Sequence, residues 1–215
     1  MDIPIIPYRA IQLSGRTIDH GSFSTIHIGE FDGKRVAVKV YDKRRTPKYL
    51  ARRIYHSASH EYSKIAGLRE KCPNLYDNLQ NPLGITNSPQ GEAFVSELVT
   101  DYDGTISTSL SHCYTVPMSF VFDARRVIER VNQCGEYFIE ISAPNILCKK
   151  ELDKLTPVFV DFQRFNTPIA FPFVYIRARL GLIFLEQRDH RRFNSCLSEV
   201  NLEGRLVEEQ KYQPK

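Results

Sequence analysis

The chain has 215 residues, enough for one substantial core or two small lobes, and its 42% hydrophobic and 25% charged residues exclude a disordered chain. A net charge of +4 is too mild to imply nucleic acid. The five cysteines (Cys72, Cys113, Cys134, Cys148 and Cys196) are odd in number, scattered and free of C-x-x-C pairs, which argues against a disulfide framework or a zinc ribbon and for reduced thiols.

The stretch Met1 to Pro7 lacks the basic start and continuous apolar run of a signal peptide. The most apolar region, Ile169 to Leu185, is interrupted by Pro172, Arg177 and Arg179 and is too broken to span a bilayer. A cytoplasmic location without membrane insertion is expected.

From Gln12 to Tyr41 the pattern predicts three antiparallel strands, with Phe31-Asp32-Gly33-Lys34 as a hairpin turn. In Arg35 to Tyr41, period-two alternation puts Val36, Val38 and Val40 on one face and Ala37 and Lys39 on the other. Asp19 to Ser24 is the turn between the first two strands, and its small residues Gly21, Ser22 and Ser24 let backbone N–H groups approach a phosphate.

Thr46-Pro47 predicts a helix start, and Leu50, Ile54, Ala58, Ile65 and Leu68 follow at helical spacing. Glu61 falls on this apolar stripe and should have a cationic partner, for which Lys39 is the natural candidate. His56 and His60, four apart, are read as a surface pair in the absence of a third ligand. Leu83 to Ile85 and Ala93 to Val99 predict a second hairpin around Asn87 to Gly91.

Pro117 to Cys134 predicts a helix burying Phe120, Ala124, Val127, Ile128 and Val131 and stopping at Gly135. Glu140 and Asn145 then place an acid and an amide five apart, Lys149 to Pro157 reads as a polar hairpin, and Val158 to Phe162 as a buried strand running into Asp161. An acid, an amide and a second acid from neighbouring strands suit the holding of Mg²⁺ against a nucleotide's phosphates.

The turn Asp19 to Ser24, with Ile26, resembles the protein-kinase loop G-x-G-x-x-G-x-V, keeping Gly21 of its three glycines, and Val36-Ala37-Val38-Lys39 resembles the V-A-I-K strand. Over Gln12 to Gln163 the chain resembles a small protein-kinase-like protein. More narrowly it resembles the YrbL family of PhoP regulatory network proteins, in Asp101-Tyr102-Asp103-Gly104, Asn145-Ile146-Leu147-Cys148 and the short remainder. The resemblance implies an α+β, two-lobed, protein-kinase-like fold over 1–215, with a five-stranded antiparallel N-lobe (1–100) and a reduced, mostly helical C-lobe (105–215).

It implies ATP and Mg²⁺ as cofactors. Gly21, Ser22 and Ser24 would cover the phosphates, Lys39 would hold them and Glu61 would position Lys39. The backbone around Glu97 and Val99 would meet the adenine, and Asn145 and Asp161 would hold the metal. Departures from the pattern are Glu140 for the aspartate that orients the acceptor, Ser142 for a lysine and Gln163 for the glycine of D-F-G, and no A-P-E follows. Three functions stay open. One is an ATP-dependent phosphotransferase acting on a protein or on itself with Glu140 as base, another a nucleotide-binding pseudokinase serving an unknown protein partner, and the third, ranked below these, a small domain that binds no nucleotide.

Overall fold

A computed structural model describes residues 2–20, 24–42, 57–135, 141–161, 182–198 and 200–203. The chain divides into two compact units. The first takes Met1–Leu98 and a return segment that begins at Asp161, and the second takes Val99–Val160 and the chain from Asn166 onward.

The first unit is a five-stranded antiparallel sheet in the order β1-β2-β3-β5-β4 with one helix. Its strands are β1 (Gln12–His20), β2 (Ser24–Phe31), β3 (Lys34–Tyr41), β4 (Pro82–Asn87) and β5 (Glu92–Glu97). Asp32 and Gly33 both adopt positive φ (51° and 69°), the two-residue turn whose twist suits the β2–β3 hairpin. Val36, Val38 and Val40 form one face of β3 and pack with Ile6, Ile11, Ala93 and Val95.

Strand β1 runs further than expected. Asp19 and His20 pair with Ile26 and Thr25, so they belong to the ladder rather than to the turn. The N-terminal segment lies along β4, with Ile6 N donating to Ile85 O at 2.8 Å and Ile85 N to Pro4 O at 2.9 Å.

Helix α1 (Ala58–Lys71) buries Ala58, Glu61, Tyr62, Ile65 and Leu68, the stripe its spacing predicts. Within the described residues the helix begins at Ala58. Ser57 is extended (φ −127°, ψ 148°) and its side chain accepts from His60 N, which fixes a helix start there. Thr46 to His56 lie outside the described residues, so the expected His56–His60 pair does too.

The second unit holds β6 (Thr108–Ser109), β7 (Thr115–Pro117), α2 (Met118–Gln133), β8 (Ile146–Lys150), β9 (Leu155–Phe159), α3 (Leu182–Leu197) and β10 (Asn201–Glu203). Strands β6-β8-β9 form an antiparallel sheet, and β7 pairs with β10 in parallel. Helix α2 buries the predicted residues together with Val121, and packs on β9 and α3.

The second unit is mixed rather than purely helical among the described residues. Among the described residues it carries two helices and five short strands, because Thr115 to Pro117 and Asn201 to Glu203 pair at long range, which no local periodicity announces. The expectation of reduced thiols holds for Cys113, Cys148 and Cys196 and fails for Cys72 and Cys134, neither of which is a free thiol. No helix among the described residues is long and apolar enough to cross a membrane.

Candidate functional site

Strand β3 delivers the first functional side chain. Alternation turns Lys39 away from the valine face, and β2 and β5 pair on either side of it through Ile26 and Phe94. Lys39 is 7% exposed and so is not a solvated surface lysine. A buried ammonium needs anionic partners, and among the described residues it has two. Its Nζ lies 3.4 Å from Glu61 Oε2 and 3.0 Å from Asp161 Oδ1.

Burial alone would lower the proton affinity of Lys39, but Asp161 and then Glu61 more than offset it, and the amine is held above its ordinary value of 10.5. The ammonium is thus a permanent charge at neutral pH. One cation against two carboxylates leaves the cluster with a formal net charge of −1, which favours uptake of a further cation.

Glu61 enters from α1 and is 1% exposed. Its helix is clamped at both ends. At the N-terminus the Glu92 carboxylate of β5 accepts from Ala58 N (3.0 Å), Ser59 N (3.4 Å) and the Ser59 hydroxyl, taking up donors that a helix start leaves unpaired. Towards the C-terminus Arg69 Nη1 donates to Tyr76 O (2.8 Å) and Leu79 O (2.7 Å).

The strand expected to run into Asp161 ends two residues before it. Strand β9 stops at Phe159, and Asp161 takes a left-handed conformation (φ 61°), which aspartate tolerates better than most residues. Its side chain is 37% exposed while bonded to Lys39. Asn145 closes a single 3-10 turn (Ala143–Asn145) just before β8, and its carbonyl accepts from Val160 N at 2.9 Å. The β8–β9 hairpin thereby brings Asn145 beside Val160, the residue that precedes Asp161. A carboxylate oxygen and an amide oxygen are each, taken singly, hard donors of the kind Mg²⁺ prefers. Among the described residues no three His, Cys, Asp or Glu side chains cluster as a separate metal site.

Other predicted residues fare differently. Gly21, Ser22 and Glu140 lie outside the described residues, as does Gln163, whereas Ser24 opens β2 and is buried. The Glu97 side chain is committed to Lys34 at 2.8 Å, and that ammonium holds the Glu97 carboxyl below its usual range. Val99 O accepts from Ser107 N at 3.1 Å, and Thr100 bridges to Ile106, so Val99 leads into a closed turn.

Tyr41 is a neighbour of this cluster that sequence reasoning missed. Its hydroxyl donates to Glu61 Oε2, and Lys39 Nζ lies 5.8 Å from its ring centroid. The signal was available in period two, which puts residue 41 on the face of residue 39. Glu92 was also missed, since a strand residue that caps a helix 34 positions earlier leaves no local trace.

A solved structure with this architecture is the crystal structure of Rad53 1-466 in complex with AMP-PNP, at 16% identity and a TM-score of 0.56. The fold is kinase-like. The match covers 73% of this chain, which spans 40% of that one. No family model and no curated protein matches the chain, so the YrbL resemblance rests on its motifs alone.

Proposed function

We propose that the chain binds ATP with Mg²⁺ and transfers the terminal phosphate to a protein or to itself. The observation that supports this most is the buried Lys39 ammonium bracketed by Glu61 and Asp161. An ammonium held in place by carboxylates is a fixed donor to which phosphate oxygens can bind, provided a metal cation beside Asp161 offsets the excess negative charge of the cluster. AMP-PNP, an ATP analogue, is bound in the Rad53 structure of like fold.

In this reading Lys39 holds the phosphates and Glu61 keeps its ammonium in place. Gly21, Ser22 and Ser24 offer backbone N–H groups to the phosphates, and the backbone at Glu97 and Val99 meets the adenine. Asp161 and Asn145 hold the Mg²⁺, which when bound neutralises charge developing on the transferred group. Glu140 accepts the proton of the acceptor hydroxyl. Phosphoryl transfer demands mainly positioning and charge neutralisation, so a glutamate in place of an aspartate need not abolish it. A cytoplasmic regulatory protein of the YrbL kind is the finer expectation.

A second reading, a nucleotide-sensing pseudokinase, is favoured by Glu140, Ser142 and Gln163, which depart from the kinase pattern. Labelled ATP separates the two. With Mg²⁺ or Mn²⁺, wild type should move labelled phosphate while Glu140→Gln and Asp161→Asn should not. Binding of ATP without turnover by wild type would leave the pseudokinase, and no binding at all would remove both.

A further inference from the structure

Among the described residues Glu61 meets both Lys39 and Tyr41. Lys39 Nζ approaches it no closer than 3.4 Å, outside the range of a strong charge-assisted hydrogen bond, and lies nearer to Asp161 at 3.0 Å. The Tyr41 hydroxyl donates directly to Glu61 Oε2. Both ends of that bond are buried, Tyr41 at 4% exposure. Because β3 repeats every two residues, Lys39 and Tyr41 stand side by side beneath α1, and one carboxylate spans them.

We propose that Tyr41 is a positioning residue for phosphate binding: its hydroxyl fixes the Glu61 carboxylate, and through Glu61 it sets where the Lys39 ammonium is presented. This rests on the ATP-binding reading above. A carboxylate can accept from several donors at once, so the Tyr41 bond need not displace Lys39. It leaves Glu61 anchored when Asp161 turns to a metal and Lys39 loses its nearer partner. Phenylalanine at 41 would keep the ring against the sheet and remove only the donor.

The test is a double-mutant cycle read by the affinity for Mg²⁺-ATP, using wild type, Tyr41→Phe, Glu61→Gln and the pair, with the melting temperature of each ligand-free protein recorded. Loss of a hydrogen bond to a charged group should weaken ATP binding about tenfold in Tyr41→Phe. In the Glu61→Gln background the same change should cost less than about twofold, since the route through the carboxylate is already broken. An equal loss in both backgrounds, or unchanged affinity in Tyr41→Phe, overturns the proposal while leaving ATP binding intact. A melting-temperature drop shared by both backgrounds with an equal loss of affinity marks a merely structural tyrosine and also overturns it. If wild type does not bind Mg²⁺-ATP, the functional reading falls and Tyr41 falls with it.

Discussion

Lys39 keeps its charge in the interior only because two carboxylates reach it, so each of the three residues carries part of the others' cost. Lys39→Met would leave Glu61 charged at 1% exposure, and the loss of stability should be about 3–5 kcal/mol by urea unfolding. That figure belongs to the Glu61 side, since the Asp161 side chain is 37% exposed and its share is screened. The pH dependence has a definite sign. The lysine is held above 10.5 in the folded chain, so its stabilisation is complete below the ordinary lysine range and is lost as pH rises through the raised value. The stability gap between wild type and Lys39→Met should therefore be steady from about pH 7 to about pH 9 and shrink above about pH 10.5. A gap that grew with alkali would contradict the ion-pair account. At the surface, Lys34–Glu97 has a short contact but a side chain 64% exposed on the lysine, and little stability is expected from it.

Helix α1 depends on its clamps as much as on its apolar stripe. Glu92 bonds the first two helical amides from a neighbouring strand, and Glu92→Ala should cost about 1–2 kcal/mol. Hydrogen exchange offers a local check, because the amides of Ala58 and Ser59 should exchange faster while those of the central sheet do not. Uniform acceleration would mean that the clamp is not local. At the other edge, the N-terminal segment crosses Gly84 so closely that an added Cβ would meet Pro4 O at 2.5 Å. Gly84→Ala should destabilise the first unit by about 1–3 kcal/mol, since the obstacle is backbone and cannot rotate away. A melting temperature equal to wild type would show that the segment yields freely.

Much of the first unit was legible because its determinants are local. Alternating valines announced β3, the Asp32-Gly33 turn announced its hairpin, and a carboxylate on an apolar stripe announced the Lys39–Glu61 pair. What could not be read depends on partners distant in sequence. The helix start at Ser57 is fixed partly by Glu92, the Thr115–Asn201 strand pair spans the second unit, and Asp161 leaves the strand for a conformation that no alternation pattern encodes. The Tyr41 hydroxyl was hidden differently, since a tyrosine on a sheet reads first as packing.

The first unit is discontinuous, its opening segment ending at Leu98 and its third charged residue arriving only at Asp161. During synthesis at roughly 5–20 residues per second, Lys39 and Glu61 precede Asp161 by several seconds or more. The nascent sheet can therefore close around a neutral ion pair first and acquire its surplus negative charge last. A ribosome stalled before Asp161 would carry a sheet with Lys39 and Glu61 already paired and without the carboxylate proposed to hold Mg²⁺, so on that reading the metal ligand would be among the last parts the growing chain gains.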